Sequence, residues 1–277
     1  MAFWYDGDLL EESDAAPHSS QQQIPLDNAG LRFGATVFTT LRVYQGDLHH
    51  PLTQWQGHCD RLNQSLQQFG WSIPNWTAIY RGCQQLKDDY AVLRVTLFPD
   101  GREWITGRPL PPHLTAQQQT GISCWVASPD YARSLPTHKT GNYLACWLAR
   151  QQAQSQGAHE AILTNPQGEW LETSTGNLWG WAHNQWWTPR NTQCLPGLMQ
   201  RWLSKKIAAA DQQLCYLPLP ATQLPNFEAV AYSNCVVGLL PIHTILNGAI
   251  KLEYNPQHVS IQMLQSHIAR AAKSSQD

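Results

Sequence analysis

Apolar residues recur at two different spacings in the first 110 residues, and each spacing predicts a type of element. Residues 38–44 are rich in β-branched and aromatic side chains and run into a Gly-Asp turn, which predicts a strand and a hairpin. Residues 55–69 carry apolar side chains near helical spacing, and Gly70 follows, which is typical of a helix that ends at glycine. Residues 91–98 predict a further strand. This part of the chain is therefore predicted to mix helices and strands.

From residue 158 the pattern changes to short apolar segments separated by turn signals, which predicts a β-meander. Residues 165–168 (Asn-Pro-Gln-Gly) fit a β-turn, with proline second and glycine fourth. A second turn is predicted at 183–184, and a helix at 198–210. The strands predicted for the second half of the chain are 122–127, 159–164, 169–172, 177–182, 185–188 and 228–232.

Residues 108–121 separate these two patterns. The segment is rich in proline and glutamine and has weak periodicity, so we interpret it as an interdomain connection. The length of 277 residues exceeds one average domain of about 150 residues. We therefore predict an N-terminal α/β domain over 1–110, a linker over 111–121, and a C-terminal α/β domain over 122–277.

Composition restricts the class of protein and of partner. Hydrophobic residues make up 42% of the chain and charged residues 14%, which is typical of a globular protein. The formal net charge of -2 gives no indication of a nucleic-acid partner, and no apolar run reaches the roughly 20 residues that span a bilayer. The first residues lack the basic and apolar regions of a signal peptide. We expect a protein that acts on a small molecule, without nucleic-acid or membrane partners.

The seven cysteines are scattered along the chain, and no CxxC pair occurs. This pattern favours reduced, mostly buried thiols in a cytoplasmic protein. A zinc site would need clustered ligands, so no metal is expected.

One lysine differs from the others in its surroundings. Lys139 is followed by Thr-Gly-Asn-Tyr and then by a predicted helix with Leu144, Trp147 and Leu148 on its apolar side. A lysine that enters a partly apolar site can act as a nucleophile or base. The alternative is a surface lysine that extends its charge into solvent.

Three further segments carry candidate chemistry. Residues 195–199 (Leu-Pro-Gly-Leu-Met) place a Pro-Gly turn at a predicted helix start, where free backbone N–H groups favour an anion. Residues 232–235 (Tyr-Ser-Asn-Cys) end a strand with small polar groups and suggest a second phosphate-binding turn, although either segment could be an ordinary turn. Glu172 stands at a strand end among Trp and Leu, where a carboxylate needs a partner. One hypothesis is that this partner is a protonated ring nitrogen. The alternative is a structural role, in which the carboxylate acts as a cap or forms a salt bridge.

A lysine, a carboxylate and an anion site are together what pyridoxal 5'-phosphate requires. Their order resembles the fold-type IV pyridoxal-phosphate enzymes, the class IV aminotransferase family, which includes branched-chain aminotransferase, D-amino-acid aminotransferase and aminodeoxychorismate lyase. The resemblance implies a two-domain α/β (α+β) fold of the D-amino-acid aminotransferase type, with the cofactor between the domains, and a homodimer. The segments that carry it are 33–34 (Phe-Gly), 58–62 (His-Cys-Asp-Arg-Leu), 138–140 (His-Lys-Thr), Glu172 with 177–179 (Asn-Leu-Trp), 188–189 (Thr-Pro) and 195–197 (Leu-Pro-Gly).

The resemblance also implies a role for each site residue. Lys139 would form the Schiff base with the cofactor and then carry protons, and Glu172 would keep the pyridine nitrogen protonated. At the cofactor phosphate, the resemblance implies Arg61, Ser233 and Asn234. It also implies Leu198 and Met199, which would bind the phosphate through their backbone N–H groups. The residues implied at the ring hydroxyl are Asn142 and Tyr143.

Two threonines favour one reaction within the family. Thr39-Thr40 follows Phe38, where branched-chain aminotransferases typically carry Glu-Gly, and the threonines resemble aminodeoxychorismate lyase. We predict a lyase of folate biosynthesis that expels pyruvate and leaves 4-aminobenzoate, with the Thr40 hydroxyl assisting proton transfer at the leaving group. The alternative is that two threonines merely suit a strand. The competing hypotheses are an aminotransferase for D-amino or branched-chain amino acids and a non-catalytic cofactor-binding relative. Arg94 or Arg102 would bind a substrate carboxylate.

Overall fold

The computed structural model describes residues 2–11, 25–189, 192–220 and 226–274. These residues divide into two units. One unit holds the described residues up to Pro112 together with His138–Asn142, and the other holds His113–Thr137 and Tyr143–Ser274. Both units combine strands with helices, so the predicted α/β class is confirmed.

The first unit is built on an antiparallel sheet with the strand order β2-β1-β5-β4-β3. Its elements are β1 (Ala2–Tyr5), β2 (Asp8–Glu11), α1 (Ala29–Phe33), β3 (Val37–Arg42), α2 (Trp55–Phe69), α3 (Trp76–Leu86), β4 (Val92–Leu97) and β5 (Glu103–Arg108). The predicted strands at 38–44 and 91–98 correspond to β3 and β4, which pair with each other. The hairpin predicted after β3 is limited, within the described residues, to a bridge between Tyr44 and Asp47.

The two faces of this sheet differ in character because side chains alternate along each strand. Leu41, Leu93 and Ile105 lie on one face, are fully buried, and share a core with Leu66 of α2 and Ile79 of α3. The helices therefore cover that face, which we call the core face. The opposite face carries polar and charged residues and is described below as the polar face.

Helix α2 has the bounds that the sequence predicts. It ends at Gly70, whose φ of 66° lies in the left-handed region, and the Gly70 N–H donates to the carbonyl oxygens of Leu66 and Gln67. Its buried side carries His58 and Arg61 as well as apolar residues, so the helix brings two polar side chains to the core face of the sheet.

The second unit is built on a mixed sheet with the order β11-β10-β9-β13-β14-β6-β7-β8-β12, and β15 pairs with β14. Glu172 also pairs with Asn177, which joins β8 directly to β9. Its helices are α4 (Leu114–Thr120), α5 (Leu144–Ser155), α6 (Leu198–Ala209) and α7 (Val259–Lys273). Its strands are β6 (Ile122–Val126), β7 (Glu160–Thr164), β8 (Glu169–Thr173), β9 (Asn177–Ala182), β10 (Gln185–Thr188), β11 (Leu214–Tyr216), β12 (Leu219–Pro220), β13 (Ala229–Asn234), β14 (Gly238–Asn247) and β15 (Ile250–Glu253).

The predicted meander of this unit is confirmed in β7 to β10. Gly168 donates its N–H to the carbonyl of Asn165 at 2.9 Å, which closes the predicted β-turn. The second predicted turn contains His183 and Asn184, with φ values of 53° and 59°. Such positive φ values suit the two central residues of a tight hairpin turn.

Two findings differ from the predicted domain limits. Residues 114–120, within the predicted linker, form helix α4, which is grouped with the second unit. The apolar periodicity of α4 is weak because the helix buries one residue, Leu114. Its glutamines lie outside the core. The segment that carries Lys139 is grouped with the first unit, although it follows β6 in the chain.

The helix after Lys139 is confirmed, but the prediction that Leu144, Trp147 and Leu148 form its packed side is wrong. These residues are 61%, 54% and 41% exposed. The packed side of α5 carries Cys146, Ala149 and Ala153 instead. The small side chains of the helix therefore pack into the unit, and its bulky apolar side faces outward.

Candidate active site

Lys139 extends the sheet of the first unit at the start of β3. The N–H of Phe38 donates to the Lys139 carbonyl at 2.8 Å, and Val37 forms a bridge with Thr140. The Lys139 ammonium Nζ lies 4.6 Å from the centre of the Phe38 ring, within the range of a cation–π contact. The backbone of β3 therefore fixes the start of the lysine side chain, and Phe38 supplies an apolar surface beneath its amine.

The polar face of the sheet carries a row of three residues beside Phe38. Strand pairing aligns Thr40 of β3, Arg94 of β4 and Thr106 of β5. The Arg94 guanidinium carbon lies 3.7 Å from the centre of the Phe38 ring, so one ring contacts both Arg94 and Lys139. A cavity of about 250 Å³ opens on this face, and its lining residues are Thr40, Val92, Arg94, Thr106, Gly107 and Arg108.

Arg102, the other arginine proposed for a substrate carboxylate, has a different environment. Its guanidinium forms an ion pair with Asp100 at 2.6 Å and donates to the Tyr5 hydroxyl at 3.1 Å. The hydrogen bond from Arg102 holds the pKa of the Asp100 carboxyl below its usual value. The arginines that line the cavity are Arg94 and Arg108, and Arg102 does not line it. Arg108 was not among the residues proposed from the sequence.

Thr39 lies on the core face and has different partners from Thr40. Its hydroxyl oxygen accepts a hydrogen bond from the Arg61 guanidinium at 2.6 Å and shares another with Nδ1 of His58. All three side chains are buried. The contact of Arg61 with a cofactor phosphate stays a prediction.

In the second unit, Glu172 is held by two donors. The Arg133 guanidinium donates from Nε to Oε1 of Glu172 at 2.8 Å, and the N–H of Leu195 donates to Oε2 at 3.1 Å. Both side chains of the ion pair are buried. Arg133 was missed by sequence reasoning. The sequence indicated that a buried carboxylate at Glu172 needs a partner. It did not indicate which cation is that partner.

The Leu195–Met199 turn is held against Asn177. The Asn177 side-chain amide donates to the Leu195 carbonyl at 2.7 Å, and a Cβ atom on Gly197 would lie 1.9 Å from its Oδ1. Helix α6 begins directly after Gly197, and no side chain caps its first N–H groups. The side chains of Leu198 and Met199 are buried. What these residues offer to an anion at the helix start is therefore their backbone N–H groups.

Ser233 and Asn234 end β13 in two different roles. The Ser233 hydroxyl is fully buried and accepts a hydrogen bond from the Trp179 indole at 2.9 Å. The Asn234 carboxamide accepts from the N–H groups of Val236 and Val237, so it shapes the turn between β13 and β14. Whether these residues contact a phosphate stays a prediction.

The two residues proposed for the ring hydroxyl also differ. Asn142 is exposed and is grouped with Lys139 in the first unit. Tyr143 donates its hydroxyl to the Ser174 carbonyl at 2.6 Å, and burial raises the pKa of its phenol. The neighbouring Glu160 carboxylate accepts hydrogen bonds from the hydroxyls of Ser174 and Thr175. The loop after Glu172 is therefore fixed by buried hydrogen bonds.

The residues present fit pyridoxal phosphate. Lys139 supplies an amine beside an aromatic ring, and Glu172 supplies a buried carboxylate that is paired with an arginine. The uncapped start of α6 supplies N–H groups for a phosphate. The described part of the chain holds no group of three or more metal-binding side chains and no helix long and apolar enough to cross a membrane.

Comparison with known proteins relates the chain to one family. The family model for class IV amino-transferases matches residues 36–245. An aminodeoxychorismate lyase from Vibrio harveyi is 23% identical over 254 residues, which cover 84% of this chain and 92% of the relative.

Solved structures share the fold. A branched-chain amino acid aminotransferase from Escherichia coli superposes with a TM-score of 0.80 at 20% identity, covering 97% of this chain and 93% of the other. A hypothetical aminotransferase from Mycobacterium tuberculosis, in its PLP-bound form, gives a TM-score of 0.78 at 19% identity and covers 99% of each chain.

Proposed function

Since this chain belongs to the class IV amino-transferase family and is a pyridoxal-phosphate enzyme, we propose that it is a 4-amino-4-deoxychorismate lyase. The reaction converts aminodeoxychorismate into 4-aminobenzoate and pyruvate. Breaking the bond to the pyruvate oxygen leaves an aromatic ring, which supplies much of the driving force. The proposal includes a place in folate biosynthesis and in the cytoplasm.

The observation that carries this proposal is the lining of the cavity on the polar face. Two guanidinium groups, from Arg94 and Arg108, and two hydroxyl groups, from Thr40 and Thr106, line it. Aminodeoxychorismate carries two carboxylates, which suit paired arginines. The aliphatic side chain of a branched-chain amino acid offers no acceptor to these guanidinium groups, whereas a second substrate carboxylate does.

The cofactor, when bound, draws electrons from the substrate carbon that bears the nitrogen. Lys139 would hold the cofactor through Nζ and, once released, would take a proton from that carbon. The Phe38 ring under the ammonium group restricts the positions that Nζ adopts. Glu172 would accept a hydrogen bond from the pyridine nitrogen and favour its protonated form.

Phosphate binding is assigned to the positively charged and N–H-bearing groups. Arg61 supplies a guanidinium, and Leu198 and Met199 supply N–H groups at the start of α6. Ser233 and Asn234 complete the set through the turn that follows β13. Asn142 or Tyr143 would contact the ring hydroxyl.

Thr40 is proposed as the proton donor to the leaving group. When the carbon–oxygen bond breaks, its electron pair goes to the pyruvate fragment, which needs a proton. The Thr40 hydroxyl lines the same cavity as Arg94, so an arginine-bound carboxylate would bring the leaving fragment to the hydroxyl.

We also propose that the protein is a homodimer. The outward side of α5 (Leu144, Trp147 and Leu148) exposes three bulky apolar residues on consecutive turns. Apolar surface of this kind is typical of a contact between proteins. Analytical ultracentrifugation tests this part of the proposal.

One series of measurements tests the function. The purified chain should show a visible absorption band from lysine-bound cofactor, and borohydride should make the link permanent. Supplied with aminodeoxychorismate, it should release 4-aminobenzoate and pyruvate in equal amounts. Conversion of the cofactor to its amino form by a D-amino or branched-chain amino acid, without aromatic product, would identify an aminotransferase. No band even after cofactor is added would indicate a non-catalytic relative.

The lysine assignment has its own test. Lys139→Ala should lose the borohydride-reducible link and the visible band. The matched control is Lys87→Ala, whose lysine pairs with the exposed Asp88. A reducible link that survives in Lys139→Ala would assign the chemistry to another lysine.

A further inference from the structure

We infer that Arg133 is a positioning residue that fixes the orientation of the Glu172 side chain. None of the motifs that relate the chain to its family includes this arginine. The inference rests on the proposed function in one respect, which is that Glu172 serves the pyridine nitrogen.

The guanidinium of Arg133 is held at two points. Its Nε donates to Glu172 at 2.8 Å, and its terminal Nη2 donates to the carbonyl of Pro136. The other oxygen of Glu172 accepts from the Leu195 N–H at 3.1 Å. A carboxylate with one fixed donor on each oxygen cannot rotate freely. Each oxygen keeps a further lone pair for another hydrogen bond.

Burial makes the charge of this pair significant. The side chains of Arg133 and Glu172 are 7% and 6% exposed. Burial acts to lower the pKa of the Arg133 guanidinium, but its neighbours, Glu172 foremost, together raise the pKa above its usual value. Arginine stays protonated, and a buried cation requires its anion. Glu172 is therefore the ion-pair partner of Arg133 in this buried environment before any cofactor binds.

The other titratable groups that face the pair do not supply a competing charge. Tyr143 and Cys146 face it from α5 and its start, and Cys194 faces it from the segment before α6. Burial raises the pKa of both Tyr143 and Cys194, which leaves them neutral near pH 7. The charge that acts on Glu172 from these neighbours is that of Arg133.

The loop after Arg133 is shaped around the guanidinium. Leu135 adopts a φ of 67°, which is unusual for a residue with a side chain, and it is 56% exposed. Burial of Leu135 therefore does not account for this backbone conformation. The turn brings the Pro136 carbonyl to the guanidinium, three residues after Arg133 itself.

The experiment compares Arg133→Met, Arg133→Lys, Glu172→Gln and the double variant Arg133→Met/Glu172→Gln. Difference infrared spectra of the cofactor-free full chain are recorded between about pH 5 and pH 8. We expect Arg133→Met to show a carboxyl group that takes up a proton in this range, because a buried carboxylate without its cation favours the neutral form. The double variant should lose that signal, which assigns it to Glu172.

Cofactor binding supplies the second readout. Arg133→Met should raise the dissociation constant of pyridoxal phosphate on the order of tenfold, as expected for a charge-assisted contact that loses its orientation. The matched control is Arg150→Met, which removes an exposed arginine from the same unit. A purely structural ion pair would lower stability without weakening cofactor binding, and that outcome would overturn the inference.

Arg133→Lys keeps the test decisive if Arg133→Met does not fold. It retains the positive charge and gives up the hydrogen bond to Pro136. We expect a silent carboxyl spectrum with weaker cofactor binding, whereas binding as tight as in the native protein would refute the positioning role. Neither readout uses substrate. A chain that fails to make 4-aminobenzoate would therefore remove the lyase assignment and leave the result on Arg133 standing.

Discussion

Thr39 and Thr40 are neighbours on β3, and their hydroxyl groups lie on opposite faces of the sheet. Thr39 is buried on the core face, where it accepts a hydrogen bond from Arg61. Thr40 lines the cavity on the polar face with Arg94. Because successive side chains of a strand point in opposite directions, a shift of one residue would exchange the two roles.

This arrangement predicts different defects for the two threonines. Thr40→Val should lower the rate of pyruvate release by about 100-fold, the usual effect of removing a proton donor, and should leave the melting temperature nearly unchanged. Thr39→Val leaves buried donors on Arg61 unsatisfied and should destabilise the protein by about 1–3 kcal/mol. Single-turnover kinetics and thermal unfolding separate the two effects. Equal rate loss in both variants, at equal stability, would argue against the role of Thr40.

The arginines of the cavity should determine substrate affinity. Arg94→Leu and Arg108→Leu should each raise KM for aminodeoxychorismate by about 10- to 100-fold, since each removes a charged hydrogen bond to a carboxylate. Arg102→Leu is the matched control. It breaks a largely exposed ion pair, worth about 0–1 kcal/mol, and should leave KM within about twofold of the native value. A larger effect at Arg102 than at Arg94 would reverse the assignment.

Gly197 should be required for the phosphate-binding turn. In Gly197→Ala, the new methyl group meets Asn177 Oδ1, which must move, and the start of α6 moves with it. We expect weaker binding of pyridoxal phosphate, measured by fluorescence titration. Asn177→Ala in the same chain removes the clash and should recover part of the affinity. If the double variant binds no better than Gly197→Ala, the clash is not the cause.

Alkaline pH should weaken the fold through a buried thiol. Burial, aided by the charge of Asp60, raises the pKa of the Cys59 thiol from 9.0 to about 12. The unfolded chain loses this proton near pH 9 and the folded chain does not, so the contribution of this thiol to stability is full below pH 9 and falls as pH rises toward 12. Melting temperatures measured from pH 7 upward should fall less steeply in Cys59→Ala. Parallel curves for the two proteins would contradict this.

Local signals identified the elements around the site. Helix α2 ends at Gly70, and the turn at 165–168 closes, because these features depend on backbone preferences of a few adjacent residues. Lys139, Glu172 and the 195–199 turn could be proposed as site residues because each belongs to a short segment with a characteristic order. Strand alternation also separates Thr39 from Thr40, although the sequence does not say which face is covered.

Partners that are distant in sequence were not predictable in the same way. Arg133 meets Glu172 across 39 positions, and Arg108 lines the cavity of Arg94 because β4 and β5 pair. The packed side of α5 was predicted wrongly, since bulk and hydrophobicity suggested Leu144, Trp147 and Leu148. The side of α5 that packs into the core of the unit carries the small residues Cys146 and Ala149 instead.

The sequence by itself therefore determined the class of fold, the family, the cofactor and the order of the candidate groups, because these depend on motifs and local patterns. The tertiary structure decided which charged groups meet, which face of β3 carries the cavity, and that Glu172 is paired before a cofactor arrives. Those outcomes depend on strand pairing and burial, which join residues far apart in the chain and set the free energy of a charge by its surroundings.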